Sequence, residues 1–154
     1  MARWHSQYQT YAVRDLPRFS QVTTWLEENR PPEQRPLILH GDYHLDNCLW
    51  GTDRPRLLAI IDWELSTIGD PLLDVGLCLA LWGDRPTESL GLARIQSVSR
   101  TAAAPGREGL AQRYAERSGR SLDAVVYYVT LALWKLVPHQ ATFARFTSSR
   151  SVLS

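Results

Sequence analysis

Apolar side chains recur at three- and four-residue intervals over residues 4–12 (Trp4, Tyr8, Tyr11) and 19–28 (Val22, Trp25, Leu26), a period that predicts two amphipathic helices. Ser20 is the expected cap of the second. The Pro31-Pro32 pair ends it, because proline lacks an amide hydrogen and disfavours helical geometry in the residue before it. Three short apolar runs follow, at 37–39, 48–50 and 57–61, with the turn formers Gly51, Asp53 and Pro55 between the last two; they predict small buried strands. The helical period returns over 71–82, with Asp70 as cap and Pro71 at the first helical position, where its missing amide hydrogen costs nothing. Residues 83–106 read as a connection with a short helix near 92–98. Two more helices are expected at 107–118 and 122–146, separated at Gly119, with Pro138 kinking the second. Tyr127, Tyr128 and Trp134 read as core packing. The fold class is α+β, mainly helical, with a small β element in the middle of a single domain spanning 1–154.

Charge narrows the choice of partners. Seventeen basic residues against sixteen acidic ones leave a formal charge of +1, too little to gather nucleic acid or an anionic membrane. The longest apolar stretch, 125–137, contains Tyr127, Tyr128, Thr130 and Lys135 and falls short of the ~20 residues that a membrane span needs. Cys48 and Cys78 form no CxxC pair and read as buried free thiols. With no secretory pattern at the start of the chain, a cytoplasmic protein is expected.

The candidate chemistry lies in the middle third. The first strand delivers His40, Gly41 and Asp42 to a loop, Asn47 closes that loop, and the third strand ends at Asp62. Phosphoryl transfer needs this set: a carboxylate to orient an attacking hydroxyl and take its proton, and oxygen ligands to hold magnesium among the phosphates. The spacing H-x-D-x-x-x-x-N is that of the protein-kinase catalytic loop, with an aspartate ending the next apolar strand. Each residue also has a plainer reading, since Asp and Asn in loops commonly cap backbone groups. Asp46 and Asp70 are read as structural. His5 and His139 have no partners at metal-ligand spacing.

With His40-Gly41-Asp42 and Ile61-Asp62-Trp63-Glu64 in those places, the chain resembles the aminoglycoside phosphotransferase and choline kinase-like family. The string Asp62-Trp-Glu-Leu-Ser-Thr-Ile-Gly-Asp-Pro-Leu-Leu-Asp74 is most similar to the branch fused to acyl-CoA dehydrogenases, and the likeness extends through Tyr114-Ala-Glu-Arg-Ser-Gly119. The resemblance implies a protein-kinase-like C-terminal lobe. It also implies an ATP- and Mg2+-dependent transfer of phosphate to a hydroxyl of a small molecule, with a hydroxyacyl-CoA or similar metabolite as one acceptor. By the same resemblance Asp42 is the catalytic base or hydroxyl-orienting group, and His40 braces the loop. Asn47 and Asp62 hold the metal and, through it, the nucleotide. Asp74 supports the loop backbone, and Trp63 takes the place of a kinase phenylalanine. Glu64 lies near enough in sequence to touch metal or substrate. His44 is read as loop surface, with contact to substrate or phosphate as the alternative.

Such a kinase would begin with a sheet-rich N-terminal lobe carrying a nucleotide-covering loop and a strand lysine. Neither precedes Trp4, and the only lysine is Lys135. A partial chain with the N-terminal lobe absent is therefore expected, leaving a surface open to self-association or a partner chain. The competing function is a truncated or degenerate kinase-like lobe acting as a non-catalytic binding or scaffold module.

Overall fold

The computed structural model describes residues 17–32, 34–83 and 95–136. Helix α1 covers Pro17–Glu28. Two antiparallel ribbons of two strands each follow. The outer pair is β1 (Leu37–Leu39) with β4 (Thr67–Gly69), and enclosed between them in sequence is the hairpin β2 (Cys48–Trp50) with β3 (Leu57–Ile60). Helix α2 (Leu72–Ala80), a 3-10 turn (Ser97–Arg100), helix α3 (Arg107–Ser118) and helix α4 over 125–136 complete the described chain.

Several expectations change. Ser20 lies inside α1 rather than capping it, because the helix starts at Pro17, whose fixed backbone suits a first helical position. The β1–β4 pairing brings in a strand that the apolar pattern misses: Thr67–Gly69 holds one large apolar residue, Ile68, and that side chain is exposed. The strands are also not buried on both faces. Leu37, Ile38, Leu49, Trp50, Leu57 and Leu58 all remain substantially exposed. The short helix expected near 92–98 is a 3-10 turn at Ser97–Arg100, while the helix at 4–12 and the kink at Pro138 lie outside the described residues.

The core forms where α1, α2 and α4 meet, around Phe19, Leu26, Leu72, Tyr127, Tyr128 and Trp134. The rings of Phe19 and Trp134 stack at 5.3 Å. The Trp134 Nε1–H donates to Thr23 Oγ1 at 2.9 Å, so the buried indole keeps a partner. Gly76 lets α2 and α4 approach closely, since a Cβ there would stand 2.6 Å from the Tyr128 carbonyl carbon. The start of α2 is tied to this core through Asp70, which is buried. Its Oδ1 accepts the Leu72 amide at 2.9 Å, and its Oδ2 accepts the Gln34 amide and the Tyr128 hydroxyl, each at 3.0 Å. Asp70 thus caps α2 and ties it to α4, which fixes the helix that supports the candidate site. No helix among the described residues is long and apolar enough to cross a membrane.

Candidate active site

β1 ends at Leu39, and the chain turns immediately through His40 and Gly41. The turn is held by α2: Asp74 accepts the His40 amide at 2.7 Å through Oδ2 and the Gly41 amide at 2.9 Å through Oδ1. A carboxylate in the first turn of a helix is favourably placed, and here it satisfies two loop amides as well. Gly41 has φ +86°, and an added Cβ would collide with the Leu65 carbonyl, so glycine is required by conformation and by space together.

His40 is buried and braces the loop through its ring. Nδ1 accepts the Asp42 amide at 3.3 Å, which leaves the ring proton on Nε2 to be donated to the Ile61 carbonyl at 2.7 Å. The half-exposed Trp63 packs its ring 4.7 Å from that of His40 and donates its own N–H to the Ile60 carbonyl at 2.7 Å.

Asn47 ends a single 3-10 turn, Leu45–Asn47, and is buried. Its Nδ2 donates to the Asp42 carbonyl at 2.9 Å and lies 3.4 Å from Asp42 Oδ2. With the amide nitrogen so engaged, Oδ1 is the atom left for a cation. The Asn47 carbonyl in turn accepts the Ile61 amide at 2.9 Å. The Ile61 peptide is therefore bonded on one side to Asn47 and on the other to His40, and Asp62 comes next. Asp62 takes left-handed geometry, φ 67° and ψ 56°, a conformation that costs a non-glycine residue energy and that clusters at functional sites. Its side chain is exposed, as is that of Glu64 in the 3-10 turn Trp63–Leu65 that follows.

His44 does not lie on the loop surface. Its side chain is only 12% exposed and sits between two carboxylates, with Nε2 3.5 Å from Asp42 Oδ2 and Nδ1 3.4 Å from Asp46 Oδ2. Both contacts are within ion-pair range, and Nδ1 has no hydrogen-bond partner and is sealed from solvent. The Asp42 contact raises the pKa of His44 above the usual imidazole value, with burial opposing it and Asp46 adding to it. Reciprocally, His44 holds the Asp42 carboxyl below the usual carboxylate range against the opposing effect of burial.

A further residue of the loop, Gln96, carries no sequence signal. It lies in a stretch that reads as connection, yet it is fully buried and has left-handed geometry, φ 53°. Its amide donates to Asp46 Oδ2 at 2.7 Å, its Oε1 accepts the Leu45 amide at 3.1 Å, and its Nε2 donates to the Cys78 carbonyl at 2.9 Å. Gln96 thereby fastens the far side of the loop to α2. Nearby Cys48 and Cys78 are buried free thiols, and burial pushes Cys78 up to about 12, which leaves it unreactive.

Asn47 Oδ1 and the Asp62 carboxylate would offer a cation hard oxygen. It suits magnesium, which takes one or two protein ligands and fills its remaining positions with phosphate and water. Among the described residues no group of three or more His, Cys, Asp or Glu is placed to hold a metal ion by itself.

One loop thus carries a carboxylate and an amide, is tied through main-chain bonds to the strand end that precedes Asp62, and is supported from a helix. The chain belongs to the phosphotransferase enzyme family, APH, whose model matches residues 1–118. It is 31% identical over 150 residues to acyl-CoA dehydrogenase family member 11 of Rattus norvegicus, covering 95% of this chain and 19% of that protein. It is 39% identical over 80 residues to acyl-CoA dehydrogenase family member 10 of Mus musculus, covering 51% of this chain and 8% of that protein. Viomycin phosphotransferase of Streptomyces vinaceus is 33% identical over 95 residues, 57% of this chain and 33% of that protein. Among solved structures, a Ralstonia eutropha JMP134 protein assigned as an aminoglycoside phosphotransferase superposes with a TM-score of 0.75 at 26% identity, covering 96% of this chain and 45% of that one. The chain thus spans no more than about a fifth of its acyl-CoA dehydrogenase relatives and under half of the solved structure. Family and fold together support a kinase-like enzyme.

Proposed function

We propose that this chain carries the catalytic loop of a magnesium-dependent kinase that moves the γ-phosphoryl group of ATP to a hydroxyl of a small molecule. The carrying observation is the double clamp on the Ile61 peptide, which joins the Asp42–Asn47 loop to Asp62. Asp42 orients the acceptor hydroxyl and takes its proton. The acceptor oxygen bonds the γ-phosphorus as the bond to the leaving ADP oxygen breaks. Asn47 and Asp62 would hold magnesium, which when bound neutralises charge on the phosphates. Asp74 and His40 keep the loop in register, and Glu64, exposed in the turn after Asp62, is open to metal or substrate. The matched relatives' names, as acyl-CoA dehydrogenase family members, support a hydroxyacyl-CoA or similar hydroxylated metabolite as acceptor.

The test uses the full-length protein. Asp42→Asn should lower kcat by about 10²- to 10⁴-fold while leaving Mg·ATP affinity near that of the parent. Asp62→Ala should weaken Mg·ATP binding in calorimetry. An Asp42→Asn protein that turned over at the parental rate would remove the assignment.

A second reading rests on the single lysine. Lys135 lies on α4 and is partly buried, and burial lowers its pKa, so this chain offers no lysine at the loop for the phosphates. On that reading the chain is a truncated or degenerate lobe acting as a non-catalytic binding or scaffold module, and it should show no heat with Mg·ATP. The exposed apolar side chains of the β2–β3 hairpin support a related proposal, that this face packs against a partner chain or a second copy.

A further inference from the structure

We propose that His44 is a positioning residue for the phosphoryl transfer described above, fixing the rotamer of the Asp42 carboxylate so that Oδ1 faces the incoming hydroxyl. The proposal rests on the kinase reading for its function and on local geometry for its substance.

The Asp42 carboxylate is held unevenly. His44 Nε2 at 3.5 Å and Asn47 Nδ2 at 3.4 Å both approach Oδ2. Oδ1 is therefore the oxygen open to an acceptor. A carboxylate that spins freely presents either oxygen at any angle, whereas one pinned through Oδ2 presents Oδ1 in one direction. That is the kind of prior ordering by which an enzyme shortens the path to its transition state.

His44 can pin Asp42 only if it is itself held, and the backing is built. Asp46 Oδ2 lies 3.4 Å from Nδ1 on the other side of the ring. That same oxygen accepts the Gln96 amide at 2.7 Å. Gln96 is fully buried and bonded through its side chain to Leu45 and to Cys78 of α2. The chain of contacts runs from the supporting helix through Gln96, Asp46 and the imidazole to the reacting carboxylate. Asp74 reaches the same loop from α2 by a separate route, through the His40 and Gly41 amides, and contacts neither carboxylate. One route holds the backbone and the other aims the side chain.

The test compares His44→Ala and His44→Gln in the full-length protein. His44→Ala should lower kcat about 10- to 100-fold with the KM for Mg·ATP within about twofold of the parent. His44→Gln, whose amide can still donate to Asp42, should recover most of the loss. Equal loss in both variants, together with lowered melting temperatures, would mark a merely structural role and overturn the proposal, as would an unchanged kcat in His44→Ala. Crystal structures of the two variants give a reading that needs no turnover. The Asp42 carboxylate should be rotated or split between conformers in His44→Ala and parental in His44→Gln, and a parental rotamer in both would also overturn the proposal. If the unaltered protein transferred phosphate to no hydroxyl acceptor, the kinase reading would fall, and the rotamer comparison would still decide whether His44 aims Asp42.

Discussion

Asp42 and His44 form a pair whose charges depend on each other, and this gives the fold a pH signature. The folded pKa of His44 is raised above its ordinary 6.5, so its contribution to stability is complete below that value and is lost as pH rises through the raised one. The folded pKa of Asp42 is lowered from 3.8, so its contribution is complete above 3.8 and is lost as pH falls through the lowered value. The pair therefore supports the fold most fully between those two ordinary values. The melting temperature of the parent should decline relative to that of His44→Gln as pH is raised from about 6 to about 9. Parallel curves over that range would mean that the contact is too solvent-screened to matter, since the Asp42 side chain is 39% exposed. Asp42 and Asn47 stand out in the sequence because a loop of set length fixes their spacing. The burial of His44 does not, because it depends on Asp46 and Gln96, some fifty positions apart and joined by one hydrogen bond.

At the scale of elements, the support for the site lies in how closely α2 can approach α4. Gly76→Ala would place a methyl group 2.6 to 2.9 Å from the backbone and Cβ of Tyr128, none of it a flexible side-chain end. The helices would have to separate, at a cost of about 1–3 kcal/mol of stability by denaturant titration. A variant as stable as the parent would show that the contact is slack. Helix α3 was readable to both ends, because Gly119, φ 68°, stops it with the left-handed geometry that a glycine favours. Asp70 and Pro71 likewise announced α2, whose regular geometry begins one residue later, at Leu72. β4 was not readable. A three-residue strand with one apolar side chain exists because β1 lies beside it, and pairing of that kind leaves no periodic trace.

Among the described residues, the strands form two narrow ribbons with exposed apolar side chains rather than one continuous sheet. Ile38 and Ile68 lie opposite each other across β1 and β4, and are 76% and 73% exposed. Together with Leu49, Trp50, Leu57 and Leu58 on the hairpin, they leave more apolar surface uncovered than isolated surface residues would. This chain alone should therefore associate as concentration rises, with light scattering giving a mass above 17.5 kDa, and Leu58→Gln should reduce the effect. A constant monomer mass would remove the partner-face proposal.

The grip on the Ile61 peptide also bears on how the site can change over evolutionary time. Its amide hydrogen and its oxygen are both taken, while its side chain is partly in solvent. The direction of Asp62 is thus set by main chain, and the letter at position 61 is free to drift among residues that keep an amide hydrogen. Proline, which has none, is the substitution that lineage drift there would be barred from sampling.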